Sequence, residues 1–265
     1  MPAARILFWV ATSGALALFV RSFLLGPVPL FVAAPALGGY VSLVVAGYVF
    51  PRWGMFADVI EAAEPGRKLV ALTFDDGPNP SSTPFVLDTL AKHGAKATFF
   101  VIGRKAQAHP SLIERIIAEG HELGIHGYQH SRVTAFRSAK YIRADIARAQ
   151  AVLAPYAVKP LRWFRPPIGH VTPRLASVAK ELGLVLTCWS IRGLDGLPGV
   201  ATSRVERRVL SLLRDGAIVA LHDSFEREPG TPAGVLALPA ILADLERKGL
   251  RSVTLAGLLD DADST

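Results

Sequence analysis

The sequence has a single cysteine, and it has no charged residue between positions 22 and 51. The lone Cys188 excludes a disulfide framework and a zinc site built from several cysteines. Because it lies in the apolar run LVLTCWS, we interpret it as a buried thiol and not as a nucleophile. The net charge is +7, but no basic stripe is interleaved with aromatic residues, so nucleic acid is not an expected partner.

The charge-free stretch contains a segment, residues 30–50, with the length of about 20 apolar residues that spans a bilayer. The apolar segment before it, residues 3–20, has Arg5 as its only charged residue. The alternatives to a transmembrane helix are a cleaved signal peptide or a buried helical hairpin of a soluble protein. We expect two transmembrane helices within residues 1–50, followed by a linker over residues 51–66. This hairpin would anchor the chain in a membrane of the bacterial inner-membrane type, with membrane lipid as a partner.

Positive charges at the ends of the hairpin bear on its orientation. Arg5, Arg52, Arg67 and Lys68 lie on the side where the hairpin begins and ends, whereas the connection offers only Arg21. By the positive-inside tendency, this predicts a cytoplasmic location for the following domain, with the periplasmic or extracellular face as the alternative. The positive net charge also suits an anionic membrane surface or a phosphate-bearing substrate.

Beyond residue 66, short apolar runs alternate with longer amphipathic ones. The strand candidates are LVALTF, ATFFVIG, HELGIH, LRWFRP, LVLTCWS, AIVALHD and RSVTLA, and most of the helix candidates between them end in glycine. Such alternation predicts a parallel sheet covered by helices. Residues 67–265 are therefore predicted to form one α/β domain, a distorted or incomplete (β/α) barrel, with a doubly wound open sheet as the alternative.

Polar side chains follow the predicted strands at their C-terminal ends, where the loops of a parallel barrel converge on a site. They are Asp75, Asp76, His126, His130, Arg165, Asp195 and His222. Trp163 and Trp189 lie in predicted strands and are expected in the core. His170 is expected at the rim of the site, with substrate contact as the alternative.

Two histidines stand four apart in HGYQH, one helical turn, so both rings can point the same way. Together with Asp76, His126 and His130 make a set of two imidazoles and one carboxylate that can hold Zn²⁺, with Co²⁺ or Ni²⁺ as alternatives. A cation there would neutralise Asp76 and leave Asp75 as a base that activates water.

The stretches TFDDGP, HGYQH, RPPIG and LHD resemble the motifs of the polysaccharide deacetylases of the NodB-homology group, carbohydrate esterase family 4, over residues 68–255. The resemblance implies a distorted (β/α) barrel and a metal-dependent hydrolase that removes N-acetyl or other N-acyl groups from the amino sugars of a polysaccharide or glycan. Carried over by position, it implies that Asp75 is the general base, held by Arg165, and that the metal ligands are Asp76, His126 and His130. It also implies that the Ile168 N–H is an oxyanion donor and that His222 is the general acid, oriented by Asp195.

The chain departs from the family pattern at four positions. Gly127 stands where Ser or Thr is usual, Arg192 and Gly196 replace the first acid and the tryptophan of the fourth motif, and Ala220 replaces a leucine. Because that tryptophan and leucine resemble walls of the acyl pocket, Gly196 and Ala220 predict a wider pocket.

Three interpretations follow for the substrate and activity. The first is deacetylation of a glycan, and the second uses the same site as a deacylase or deformylase on a lipid-linked amino sugar or another non-peptide amide. The third is a catalytically dead, membrane-tethered sugar-binding protein. Base, ligands, acid and both orienting residues are all present, which favours an enzyme. The sugar, the acyl group and the oligomeric state stay open.

Overall fold

The structure, a computed structural model, describes residues 1–226 and 230–260. It begins with two helices, α1 (Ala3–Leu24) and α2 (Leu30–Val49), which pack against each other. Thr12 and Tyr40 share a hydrogen bond of 3.2 Å across this pair. Both helices are long and apolar enough to cross a membrane, and almost none of their residues is buried. The predicted pair of apolar helices is thus present.

The domain that follows is built on eight parallel strands. Seven of them form one sheet in the order β5-β4-β3-β2-β1-β7-β6, and β8 pairs with β1. The strands are β1 (Leu69–Asp75), β2 (Ala97–Val101), β3 (Glu122–Ile125), β4 (Trp163–Phe164), β5 (Val185–Leu186), β6 (Ile191–Arg192), β7 (Ile218–His222) and β8 (Arg251–Ser252). All seven residues of β1 are buried, as expected for a central parallel strand covered on both faces.

Within the described residues, eight helices surround the sheet. They are α3 (Thr83–Lys92), α4 (Gly103–Ala108), α5 (Pro110–Ala118), α6 (Ala139–Leu153), α7 (Pro173–Glu181), α8 (Thr202–Leu212), α9 (Ala233–Arg247) and α10 (Leu255–Leu259). Short 3₁₀ turns cover Pro51–Trp53, Thr134–Phe136, Ala154–Tyr156 and Pro167–Gly169. The apolar faces of the strands and helices form the core, in which Phe74 stacks on Phe99 at 5.2 Å between ring centroids.

The segment predicted as a linker, residues 51–66, is partly built into the sheet. Ile60 forms a parallel bridge with Thr187, next to β5, and Ala62 forms an antiparallel bridge with Ala217, next to β7. These two bridges connect the two sides of the curled sheet, so the fold is the expected incomplete barrel and not a flat, doubly wound sheet. Residues 261–265, the end of the predicted domain, lie outside the described residues.

The register of the sheet places reactive groups side by side. Asp75, the last residue of β1, lies opposite His222, the last residue of β7. The next residues after β3 and β4 extend the ladder, since His126 N–H donates to Val101 and Arg165 N–H donates to Ile125. The C-terminal ends of β1, β3, β4 and β7 therefore gather at one rim of the barrel.

Candidate active site

Asp75 is held by a buried arginine. The Arg165 Nη1 group donates to Asp75 Oδ1 at 2.6 Å and to the Thr73 hydroxyl at 2.7 Å, and Nη2 donates to the Cys188 carbonyl at 2.8 Å. Burial raises the pKa of Asp75, but the Arg165 charge and hydrogen bond outweigh it, and the pKa lies below its usual value. Asp75 is therefore an ionised carboxylate that can accept a proton.

Three ligand-type atoms converge beside Asp75. Asp76 Oδ1 lies 3.1 Å from His130 Nε2 and 3.6 Å from His126 Nε2, and the two Nε2 atoms are 3.1 Å apart. His126 Nδ1 lies 2.7 Å from the Arg165 carbonyl, which can only accept, so this nitrogen carries the proton. Burial lowers the pKa of His126 to about 4, so its ring is neutral and its Nε2 presents a lone pair.

This arrangement fits a divalent cation. Asp76 Oδ1 is buried and accepts no hydrogen bond from any described residue, and on the His126 side it faces the lone pair of Nε2 instead of a donor. All three residues are buried, and their ligand atoms lie within 4.8 Å of one another. Two imidazole nitrogens and one carboxylate oxygen are a donor set that Zn²⁺ accepts, with positions left open for water and substrate.

The turn that carries the two histidines is not a helix, contrary to the reasoning from their spacing. Gly127 and His130 both have left-handed backbone, with φ of 79° and 57°. Asp145 of α6 fixes the turn, because its carboxylate accepts from the N–H groups of Tyr128 and Gln129, both at 3.0 Å. A Cβ at position 127 would lie 2.7 Å from Asp145 Oδ2, so glycine at this position permits the close approach of the carboxylate.

His130 has a carboxylate partner that the sequence motifs did not reveal. Glu226 Oε1 lies 3.5 Å from His130 Nδ1, and Glu226 Oε2 accepts from Arg132 Nε at 2.9 Å. A carboxylate behind a metal-binding imidazole orients the ring and raises its basicity. The available signal was weak: Glu226 lies four residues after His222, in the same loop that follows β7.

His222 and Asp195 form a buried acid–histidine pair. Asp195 Oδ1 lies 3.0 Å from His222 Nδ1, and Oδ2 accepts from the His222 backbone N–H at 2.9 Å. Burial alone would lower the pKa of His222, but the Asp195 carboxylate outweighs it and raises the pKa to about 9. The ring is thus an imidazolium at neutral pH and can donate a proton.

The predicted residues surround one cavity of about 470 Å³. Asp75, Asp76, His126, His130, Ile168 and His222 line it, whereas Arg165 and Asp195 lie behind Asp75 and His222. Ile168 sits in the 3₁₀ turn Pro167–Gly169 with left-handed backbone, φ 54°. The other lining residues are Arg132, Trp189, Arg192, Leu194, Gly196, Leu197, Pro198, Val200, Arg204, Ala220, Phe225 and Glu226.

Two residues behave differently from their sequence-based expectation. Trp189 is only half-buried and lines the cavity, so its assignment to the core was wrong, whereas Trp163 is fully buried. His170 does not line the cavity; its ring packs on Tyr48 of α2 at 4.8 Å between centroids. Ile168, two residues before His170, does line the cavity.

Gly196 and Ala220 both line the cavity, as a widened acyl pocket requires. Gly196 has a further role, because a Cβ there would lie 2.8 Å from both Cε1 and Nε2 of His222. Any side chain at this position would push against an imidazole that Asp195 holds in place. Glycine at position 196 therefore leaves room for the His222 ring where Asp195 holds it.

A parallel half-barrel thus carries this set of carboxylates, imidazoles and buried arginine at one rim. The family model described as polysaccharide deacetylase matches residues 62–187. A peptidoglycan-N-acetylglucosamine deacetylase of Bacillus cereus is 37% identical over 73% of this chain and 89% of its own length. A chitooligosaccharide deacetylase of a Bradyrhizobium species is 37% identical over 69% of this chain and 87% of its own length.

A solved structure shares the fold as well. The crystal structure of the Bc1960 peptidoglycan N-acetylglucosamine deacetylase superimposes with a TM-score of 0.70 at 31% identity, covering 78% of this chain and 95% of that one. The chain belongs to the polysaccharide deacetylase family, carbohydrate esterase family 4. It is an enzyme of the type that hydrolyses carbon–nitrogen bonds other than peptide bonds.

Proposed function

We propose that this protein hydrolyses the N-acetyl group of N-acetylglucosamine units in a glycan, using Zn²⁺ held by Asp76, His126 and His130. The observation that carries the proposal is the convergence of three buried ligand atoms between an ionised carboxylate and a protonated imidazole. Both named relatives act on glycans that contain N-acetylglucosamine, which supports this sugar as the substrate unit.

The residues supply each proton transfer that amide hydrolysis needs. Asp75 takes a proton from the attacking water as the water oxygen bonds to the acyl carbon. A bound divalent cation supplies Lewis acidity, which polarises the acyl oxygen and lowers the pKa of water. The N–H of Ile168 is the proposed second donor to the acyl oxygen.

His222 completes the reaction on the other side of the bond. Its imidazolium donates a proton to the leaving nitrogen as the carbon–nitrogen bond breaks, which releases acetate and the free amine of the sugar. Asp195 keeps the imidazole oriented and charged through the 3.0 Å contact at Nδ1. Arg165 holds Asp75 in position and keeps it ionised until it receives the proton.

A second candidate is the same reaction on a lipid-linked amino sugar at a membrane surface. It is favoured by contacts between the apolar helix pair and the loop beside the cavity, where Tyr48 packs on His170 at 4.8 Å and on Phe136 at 4.9 Å. In this proposal α1 and α2 span the membrane, and the charges that flank them predict a cytoplasmic catalytic domain. A deformylase or deacylase of another amide would use the same residues.

The test is acetate release from N-acetylglucosamine oligomers by the full-length, zinc-loaded chain in detergent. Asp75→Asn should lower the rate by about 10²- to 10⁴-fold, the usual contribution of a general base, while zinc binding is retained. Asp88→Asn, at an exposed carboxylate of α3 that pairs with Arg115, is the matched control and should keep the rate. Equal rates in wild type and Asp75→Asn would contradict the role of Asp75. A folded, zinc-binding wild type that releases no acetate would instead support the binding-protein interpretation.

A further inference from the structure

The mouth of the active-site cavity carries positive charge that no described acidic residue neutralises. Three arginines line the cavity: Arg132, Arg192 and Arg204. Arg132 pairs with Glu226 at 2.9 Å. Within residues 1–226 and 230–260, neither Arg192 nor Arg204 has a carboxylate within ion-pair distance. Two guanidinium groups are therefore available to a ligand.

The carboxylates on the cavity floor do not neutralise these two arginines. Asp75 is paired with the buried Arg165 at 2.6 Å. Asp76 belongs to the ligand set of the proposed cation. With the metal in place, the floor holds no spare negative charge, so an anionic part of the substrate would meet the two rim arginines unopposed.

Arg192 is held in place by its backbone and its neighbours. It pairs with Ala220 in the ladder between β6 and β7, two residues before His222, and its carbonyl accepts from Arg208 Nε at 2.7 Å. Its guanidinium carbon lies 5.1 Å from the centroid of the Trp189 ring.

The same rim exposes apolar side chains. Leu194 and Leu197 are 39% and 61% exposed, and both line the cavity together with Pro198 and Val200. Leu194 is held in left-handed backbone, φ 61°, which leucine rarely adopts. A rim that combines free guanidinium groups with exposed leucines suits a ligand in which an anion is joined to a hydrocarbon chain.

The cavity wall also contacts the apolar helix pair. Ile168 lines the cavity, and two residues later His170 packs against Tyr48, which lies near the end of α2. If α2 spans a membrane, as proposed above, this wall lies beside the membrane surface. A substrate that carries its own lipid chain is the kind of molecule found there.

We propose that Arg192 and Arg204 form a subsite for the phosphate that joins an N-acylated amino sugar to a lipid, and that Leu194 and Leu197 contact the first part of its hydrocarbon chain. This inference rests on the proposed N-deacetylase function and names its substrate class. Guanidinium groups bind phosphate oxygens through paired, charge-assisted hydrogen bonds, which gives the subsite both affinity and orientation.

The experiment compares three substrates with the full-length, zinc-loaded chain in detergent. They are a neutral N-acetylglucosamine oligomer, N-acetylglucosamine 1-phosphate, and an alkyl phosphodiester of N-acetylglucosamine. The wild type should show a kcat/KM for the alkyl phosphodiester at least about tenfold above that for the neutral oligomer, since hydrogen bonds to charged groups are strong. The 1-phosphate should fall between the two.

Arginine variants then test the subsite itself. The double variant Arg192→Ala, Arg204→Ala should lose the preference for both phosphorylated substrates by about tenfold or more, mainly through KM. Arg207→Ala is the matched control, because Arg207 is exposed on the same helix α8 and does not line the cavity. In the inactive Asp75→Asn background, the Kd of the alkyl phosphodiester should rise by a similar factor, which gives a readout independent of turnover.

The outcomes separate the two proposals. Hydrolysis of the neutral oligomer with no preference for the phosphorylated sugars, or a preference that the double variant retains, overturns the phosphate subsite and leaves the deacetylase function standing. Equal kcat/KM for the 1-phosphate and its alkyl diester overturns the lipid part. Failure of the wild type on all three substrates overturns the deacetylase function itself.

Discussion

Asp75 and Asp76 are neighbours in the chain, yet their carboxylates face different partners. The left-handed backbone of Asp76, φ 71°, turns its carboxylate towards the two histidines, while Asp75 stays at the end of β1 against Arg165. Two like charges side by side would otherwise raise the pKa of one of them. Asp75 thus keeps an ionised carboxylate beside Arg165, and Asp76 presents its Oδ1 to the two imidazoles.

His222 gives the site a pH dependence that can be measured. Its pKa of about 9 is above the ordinary value of ~6.5, so the imidazolium persists until the pH rises through about 9. The contribution of this pair to folding stability is likewise fully present below pH ~6.5 and is lost as the pH rises through about 9.

We therefore expect the alkaline limb of the kcat profile to follow His222. Asp195→Asn removes the carboxylate that sustains the proton, so the limb should move to lower pH by at least ~1 unit, in line with the usual effect of a nearby opposite charge. The measurement is kcat against pH for both proteins at saturating zinc and substrate. An alkaline limb that stays in place would assign it to a group other than His222.

Among the helices and strands, those with long and regular patterns were predictable. All six predicted amphipathic helices are present, and Gly94, Gly120 and Gly183 follow α3, α5 and α7 with left-handed backbone. The fifth predicted strand, LVLTCWS, contains only the two-residue strand β5, and β6 begins just after it at Ile191, because strands this short are defined by pairing with neighbours and not by local pattern.

The last predicted strand, near the end of the chain, was wrong in a different way. RSVTLA was predicted to be one strand, but only Arg251–Ser252 pair, and α10 begins at Leu255. Thr254 is the reason, since its hydroxyl accepts from the N–H of Gly257 and caps the helix. Threonine favours both strands and helix caps, so the residue type alone left the choice open.

The site was predictable where residues follow strand ends and unpredictable where distant segments meet. Asp75 and His222 become neighbours because β1 and β7 pair, whereas the sequence predicted only that both lie at the C-terminal ends of parallel strands. Glu226 and Trp189 enter the site through irregular loops, whose course depends on packing between segments far apart in sequence.

The segment that bridges the two sides of the barrel is expected to stabilise the fold. The Ile60 N–H donates to Leu186 at 2.9 Å, and its carbonyl accepts from Cys188 at 2.8 Å. Ile60→Pro removes the first of these bonds, because proline has no N–H, and should lower the free energy of unfolding by at least ~1 kcal/mol.

Thermal unfolding of the full-length chain measures this effect. A loss of ~1 kcal/mol corresponds to a fall in Tm of about 2–4 °C for a domain of this size. Ile60→Val is the matched control, since it keeps the N–H and most of the side chain. If both variants melt together, the backbone bridge contributes nothing measurable.

At the scale of the whole molecule, the apolar helix pair and the catalytic domain are in contact at several points. Arg5 of α1 donates to the Gly54 carbonyl at 2.9 Å and pairs with Asp58 at 2.8 Å. Met55, only 2% exposed, fits against Gly47 of α2. These contacts, together with Tyr48 on His170, fix the cavity wall relative to α2.

Gly47 is the position where this docking can be tested. A Cβ there would lie 2.1 Å from Met55 Sδ and 3.2 Å from Met55 Cβ, so Gly47→Leu must displace a buried side chain. Overpacking of this kind costs about 1–3 kcal/mol, which should raise the undocked fraction by roughly 5- to 150-fold. Gly39→Leu is the matched control in the same helix, because nothing lies within 4 Å of a Cβ at position 39.

We expect tryptic cleavage after Arg52, at the junction, to accelerate in Gly47→Leu and to stay unchanged in Gly39→Leu, because cleavage follows the population of the open form. The alkyl phosphodiester should then lose its advantage over the neutral oligomer in Gly47→Leu, since the undocked domain no longer holds its cavity wall beside the apolar helix pair. Equal cleavage in the two variants would mean that the helix pair acts only as a tether.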